Sequence, residues 1–213
     1  MKLFIGPGAP SATRVRLYVA EKNAVEATGP VVSVTEVIVD VQRGHQHQEP
    51  HLSRNAAGKV PVLEIEPGVF LSESLAIIEY LEECSPEPSM LGRTTLERAR
   101  VRELDRIAEL RVLLPLARLA HAVNSPTARR PDPSLAEHYG SMLPVGLRHI
   151  DGLLRDGRPF IAGDRPTIVD CTLGAALDFG RWRGVALGED YVEVMAWYER
   201  YRARAAVRQV LGA

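Results

Sequence analysis

Two pairs of residues have types and spacing that suit chemistry. In "AAGKVPVLE", residues 56–64, an apolar run that reads as a buried strand carries Pro61 directly after Val60. Proline has no N–H for a sheet ladder, so a central strand excludes it. A proline that ends a loop and opens a strand suits a cis bond. Such a corner turns the N–H and C=O of Val60 outward, where they would pair with an extended peptide as an added strand does. An edge-strand proline without a role fits the same residues. Further on, "LSESLAII" puts Glu73 and Ser74 at the first turn of a helix. Unpaired N–H groups and partial positive charge there favour a carboxylate, and the Glu73 carboxylate beside it suits an ammonium. Plain capping by Ser72 and Glu73 is the alternative. An α-amino acid head carries both charges on one carbon, and the two pairs lie one hairpin apart. A γ-glutamyl peptide is a ligand that would use both.

The rest of the chain narrows the field. The 213 residues carry a formal net charge of −1, which gives no basic surface for a nucleic-acid backbone. With 46% hydrophobic and 25% charged residues the composition is that of a globular protein. No apolar run reaches the roughly 18 residues of a membrane span, and the opening "MKLFIGPGAPSATR" lacks the apolar stretch of a signal peptide. Cys84 and Cys171 are too few for a disulfide framework. Both read as buried free thiols in apolar helical settings, which suits the cytoplasm. His45 and His47 resemble a metal pair, but no cysteine or third ligand stands near them, so no metal is expected.

These residues need elements to hold them. "KLFI" reads as a strand ended by the turn signal "GPGAP". "SATRVRLYVAEKN" reads as a helix starting near Ser11, whose hydroxyl suits an N-cap. "VSVTEVIVDV" is β-branched and reads as a strand, which completes a βαβ unit with parallel pairing. "QRGHQHQEPHLSRN" is a polar loop with one irregular helix. "VPVLEI" and "VFLS" form a hairpin around "EPG". "ESLAIIEYLEEC" is a helix with Leu75, Ile78 and Leu81 on its apolar face, capped by Ser72. After "SPEPSMLGR", strand signals nearly vanish. A long helical pattern kinked at Pro115 follows, then a loop, and then further helices of which "YVEVMAWYERYRARAAVRQVL" is the last. Residues 1–84 thus read as a small α/β domain, 85–93 as a linker and 94–213 as an all-helical domain. The stretch around Thr28 and Pro30 lengthens the connection between first helix and second strand.

Three motifs now carry a family resemblance. The run from "NAAGKVPVLE" to "LSESLAIIEYLEE" resembles the glutathione transferase signature, G-[KQ]-V-P-x-L followed by [ED]-S-x-A-I. "PFIAGDRPTIVDCTLGAAL" resembles the same family's F-[IVL]-A-G-D stretch. Physically that stretch is a capping box, with Thr167 as cap and Asp170 returning the bond. "PSATRVRLYVAEKN" resembles the P-N-A-R-R-V-R opening of a bacterial and fungal branch that includes a yeast type. The resemblance spans almost the whole chain. It implies a thioredoxin-like N-terminal domain, an all-α C-terminal domain and a cytoplasmic homodimer. Glutathione would be a co-substrate with no further cofactor, and a small hydrophobic electrophile would sit between the domains.

Carried over by position, the resemblance pairs Val60 with the cysteinyl unit ahead of a cis Pro61. Glu73 and Ser74 hold the γ-glutamyl ammonium and carboxylate. Lys59, with His45, Gln46 or His47, meets the glycine carboxylate. The thiol must be driven toward thiolate, and here the chain departs from the pattern. Ile5, Ala9 and Pro10 occupy the positions where different classes place an activating tyrosine, serine or cysteine. Ser11 is the nearest hydroxyl, as catalytic donor or as plain N-cap. The yeast-like branch uses water held by Ser and His from the helical domain, for which "ARLAHAVNS" offers His121 and Ser125. A solvent-facing His121 fits as well. Three functions stay open on these residues. One is conjugation of glutathione to electrophiles. The second is a non-catalytic binding or scaffold role on the same fold. The third is another glutathione-dependent reaction, such as isomerisation, mixed-disulfide reduction or dehalogenation.

Overall fold

The computed structural model describes residues 1–24, 31–124, 130–187 and 190–212. The lengthened stretch around Thr28 and Pro30 lies outside them. The chain divides into two units, Met1–Pro88 and Ser89–Ala213.

In the first unit, β1 (Lys2–Ile5) leads through a tight turn into α1 (Pro10–Asn23). The Ala9 N–H donates to the Gly6 carbonyl at 3.0 Å. Pro7 follows Gly6, and Gly8 has φ 74°, the residue pair that a type II turn requires. Next come β2 (Thr35–Ile38), a 3-10 turn at His45–His47, a four-residue helix α2 (His51–Arg54), the hairpin β3 (Val62–Glu66) and β4 (Val69–Ser72), and α3 (Ser74–Cys84). The sheet order is β2-β1-β3-β4, with β1 parallel to β2 and antiparallel to β3. Pro61 stops just short of the central strand β3, which satisfies the steric rule. One sheet face buries Phe4, Val39 and Val62. The helices α1 and α3 pack together over a core that includes Leu17, Tyr18, Ile77 and Leu81.

A charged cluster lies inside this unit. Lys22 Nζ donates to Glu82 Oε2 at 2.7 Å and to the Pro88 carbonyl at 2.8 Å, and the Tyr18 hydroxyl donates to the same Glu82 oxygen at 2.7 Å. Lys22 and Glu82 are 0% and 4% exposed, so the pair is fully desolvated. It ties α1 to α3 and to the residue where the unit ends.

The second unit holds α4 (Thr95–Ala108), α5 (Leu114–Val123), α6 (Pro133–Leu154), α7 (Ile168–Trp182), α8 (Val192–Arg202) and α9 (Ala205–Leu211). A π-helical turn, Glu109–Leu113, joins α4 to α5 and ends two residues before Pro115. Pro115 lacks the N–H that an α-turn would use, and the chain absorbs this with one wide turn. Gly146 of α6 packs against that turn. A Cβ there would lie 2.7 Å from Arg111 Cβ and 3.1 Å from the Arg111 carbonyl carbon, so only glycine permits the approach.

The capping box at α7 is present as the sequence predicts. The Asp170 carboxylate accepts from the Thr167 N–H at 2.8 Å, the Thr167 hydroxyl at 3.0 Å and the Ile161 N–H at 3.0 Å, all buried. Thr167→Ala should lower stability by about 0.5–2 kcal/mol and leave turnover per folded molecule unchanged. Urea melts run beside steady-state rates check both halves of that expectation.

The last helix and Cys84 depart from expectation. The last helical pattern is two helices, with Arg204 extended between them (φ −64°, ψ 138°). The buried face Val194, Trp197, Tyr198 and Tyr201 would continue onto Arg204 and Arg208, while the apolar pair Ala206 and Val207 falls off it. The break brings that pair inside. Cys84 is exposed where a buried thiol was expected, because α3 ends at that residue; Cys171 is buried, and both are free. Among the described residues no helix is long and apolar enough to cross a membrane.

Candidate active site

Strand register gathers the first unit's candidates at one end of the sheet. Phe4 pairs with Val62, and Val62 pairs with Ser72. The end of β1, the start of β3 and the end of β4 therefore coincide. The loop that follows β1 opens α1, the residues before β3 are Val60 and Pro61, and the residues after β4 are Glu73 and Ser74. The Gly6 α-carbon lies against Val60, with only 3.3 Å from an added Cβ to Val60 Cγ2.

The Val60–Pro61 bond is cis. Val60 lies outside the β1–β3 ladder, and among the described residues neither its N–H nor its C=O has a protein partner. Glu73 is the N-cap of α3 by backbone position, which corrects the expected cap at Ser72: that residue still belongs to β4. Glu73 makes no side-chain capping bond. Its carbonyl accepts from the Ile77 N–H at 2.9 Å, and its backbone sits at φ 68°, ψ 115°, well outside the usual regions for a residue with a side chain. The Ser74 hydroxyl, on a residue 6% exposed, has no partner among the described residues. Neither side chain is spent on capping, and both stand at a helix N-terminus that favours an anion.

Ser11 is the second residue of α1 and not its cap. The cap position falls on Ala9, with no side-chain bond, because Pro10 takes the first helical place. Pro10 has no N–H, and the Ala12 and Thr13 N–H groups return to the Ala9 carbonyl at 3.0 and 2.9 Å. The half-buried Ser11 hydroxyl is left without a protein partner among the described residues.

The glycine-carboxylate candidates meet around Gly58. This residue has φ 60°, and a Cβ on it would lie 2.6 Å from His47 Nδ1 and 3.1 Å from the Gln46 carbonyl. Lys59 is exposed beside it, and Gln46 is half-buried with its Oε1 unpartnered among the described residues. His121 belongs to α5 in the other unit, its ring 5.8 Å from that of Phe179. Ser125 lies outside the described residues.

His51 and Asn55 escape a reading of the sequence. Both donate to the Lys59 carbonyl, at 3.0 Å each. They sit in a polar stretch whose only legible signal was the lack of a pattern. A cleft of about 670 Å³ opens within the helical unit, lined by Leu104, His149, Leu153 and Arg158 among others, and none of the described site candidates lines it. Arg158 there clamps Asp156 at 2.6 Å and holds its carboxyl down at about 2.

Comparison with known proteins gives the family and the fold of the chain. The sequence profile of the glutathione S-transferase N-terminal domain matches residues 1–83, and that of the C-terminal domain matches residues 142–205. The chain belongs to the glutathione S-transferase family. It is 29% identical to Glutathione S-transferase 2 of Saccharomyces cerevisiae, over 99% of this chain and 89% of that protein. It is 30% identical to maleylacetoacetate isomerase of Pseudomonas aeruginosa, over 88% and 84%. The crystal structure of Gtt2 from Saccharomyces cerevisiae superposes with a TM-score of 0.84 at 27% identity, over 99% of this chain and all of that one.

Proposed function

We propose that the protein binds glutathione at the shared sheet end of its first unit and conjugates the thiol to small hydrophobic electrophiles. The observation that carries this reading is that the Glu73 and Ser74 side chains, neither used for capping, lie at the same sheet end as a Val60 backbone without a partner among the described residues, so a charged head and a peptide spine are met together. The γ-glutamyl ammonium pairs with Glu73, and its carboxylate takes the Ser74 hydroxyl and the first-turn N–H groups of α3. The cysteinyl unit pairs with Val60. Lys59, Gln46 and His47 surround the glycine carboxylate. On family grounds the proposal includes a cytoplasmic homodimer with a detoxifying role.

In this reading the sulfur lies at the start of α1. A free thiol of this kind has a pKa of about 8.5 and is mostly protonated at neutral pH. A helix N-terminus favours an anion by about 0.3–1 kcal/mol, and up to about 2 when partly buried. A hydroxyl donating to it adds about 1.5–3 kcal/mol. At about 1.4 kcal/mol per unit these lower the thiol by roughly one to three units. The thiolate then attacks the electrophilic carbon, a C–S bond forms, and the leaving group departs with the displaced pair, or the adduct takes up a proton.

Two measurements test this together: calorimetric titration with glutathione, and thiolate absorbance of the bound tripeptide against pH. The wild type should bind and show a lowered thiol. Ser11→Ala should slow conjugation of an activated aryl halide about tenfold without abolishing it. A thiol unshifted on the protein would sink the transferase reading in favour of a binding module. A shift lost in His121→Ala and kept in Ser11→Ala would assign activation to α5. The P. aeruginosa relative's name supports one second reading, isomerisation at the same site. It predicts glutathione recovered unchanged after turnover, where conjugation consumes it.

A further inference from the structure

We infer that His51 and Asn55 are positioning residues for glutathione, acting through one peptide unit. This rests on the glutathione reading above and names residues outside the set that contacts the tripeptide there. The Lys59 carbonyl accepts two hydrogen bonds, from His51 Nε2 at 3.0 Å and from Asn55 Nδ2 at 3.0 Å. A carbonyl oxygen has two lone pairs, so both are engaged and the oxygen is held from two directions. That carbonyl and the Val60 N–H belong to the same planar peptide unit, which is trans. In a trans unit C=O and N–H point in opposite directions. Holding the oxygen inward therefore holds the Val60 N–H outward, and that N–H has no protein partner among the described residues.

The two donors are built into the loop. His51 is 2% exposed, on a residue type that usually keeps contact with water. A carbonyl cannot donate, so Nε2 carries the hydrogen of that bond, and Nδ1 is buried and without a partner among the described residues. Asn55 is fixed from its other end, where its Oδ1 accepts from the Ala57 N–H at 3.1 Å. Its own N–H donates to the His51 carbonyl at 3.0 Å, so α2 and the clamp move as one piece.

The experiment replaces the donor while keeping the shape. His51→Gln retains an amide N–H near the place of Nε2. His51→Asn places one near Nδ1 only, and His51→Phe removes it. Asn55→Asp keeps the bond to Ala57 and deletes the donor. Each is titrated with glutathione, and kcat and KM for glutathione are measured with an activated aryl halide. The expected result is a rise of about tenfold in Kd and KM for His51→Phe, His51→Asn and Asn55→Asp, with kcat at saturating glutathione within about twofold of wild type, and rescue by His51→Gln. In amide spectra, the Val60 N–H should shift on adding glutathione to the wild type and shift less in His51→Phe. Folded His51→Phe and Asn55→Asp that bind like the wild type would overturn the inference. So would a loss that His51→Gln shares. If His51→Phe does not fold, Asn55→Asp against the wild type decides. A wild type that does not bind glutathione fails the underlying reading, and is distinguished by that first titration.

Discussion

Replacing Glu82 with alanine should destabilise the first unit by about 3–5 kcal/mol, the usual cost of leaving one member of a buried ion pair alone. At 0% exposure Lys22 would be left, among the described residues, with the Pro88 carbonyl as acceptor, and the Tyr18 hydroxyl would lose its bond to Glu82. Replacing both ions, Lys22→Met with Glu82→Leu, should recover most of the loss, because apolar side chains of similar volume often substitute for such pairs without penalty. Both tryptophans, Trp182 and Trp197, are in the helical unit, so a probe that reads the backbone of the first unit is needed. Urea unfolding followed by far-ultraviolet circular dichroism supplies one. A single variant as stable as the wild type would mean that water reaches the pair.

The second large effect belongs to the ligand. Ser74→Ala and Glu73→Ala should each weaken glutathione by about 1.5–3 kcal/mol, the worth of a hydrogen bond to a charged group, or roughly tenfold to more than a hundredfold in Kd. Neither side chain caps α3, so Ser74→Ala should leave the melting midpoint nearly unchanged. Calorimetry beside thermal melts separates the two. Unaltered affinity in both variants would remove the site from the start of α3.

Much of this was legible because it is local. Strand "KLFI", the hairpin around "EPG" and the box from Thr167 to Asp170 depend on residues within a few positions, and each has its own chemical signal. The pairing of Val60–Pro61 with Glu73–Ser74 could be read because one hairpin joins them. What stayed hidden depends on residues far apart or on backbone angles. Lys22 and Glu82 are 60 residues apart, and each taken alone reads as an ordinary solvated charge. His51 is buried and bonded to the Lys59 carbonyl eight residues on, a contact that no local pattern marks. The helix break at Arg204 has no glycine or proline to mark it. The helix caps fall at Ala9 and Glu73, two residues before Ser11 and one after Ser72, since Pro10 and Glu73 take the boundary on backbone grounds that a side-chain preference does not show.

The backbone of Glu73 sets two demands against each other. Glycine is the residue that adopts φ 68°, ψ 115° most readily, so selection for robustness alone would favour it there. Glycine would also take away the carboxylate assigned to the ligand's ammonium. A position where the fold would gain from glycine is thus one where the proposed binding would lose by it. A lineage that lost the need for glutathione should drift first at this residue, well before the neighbouring core residue Ile77. Homologues on the same fold with glycine at this position are therefore the ones to examine first for a role other than glutathione chemistry.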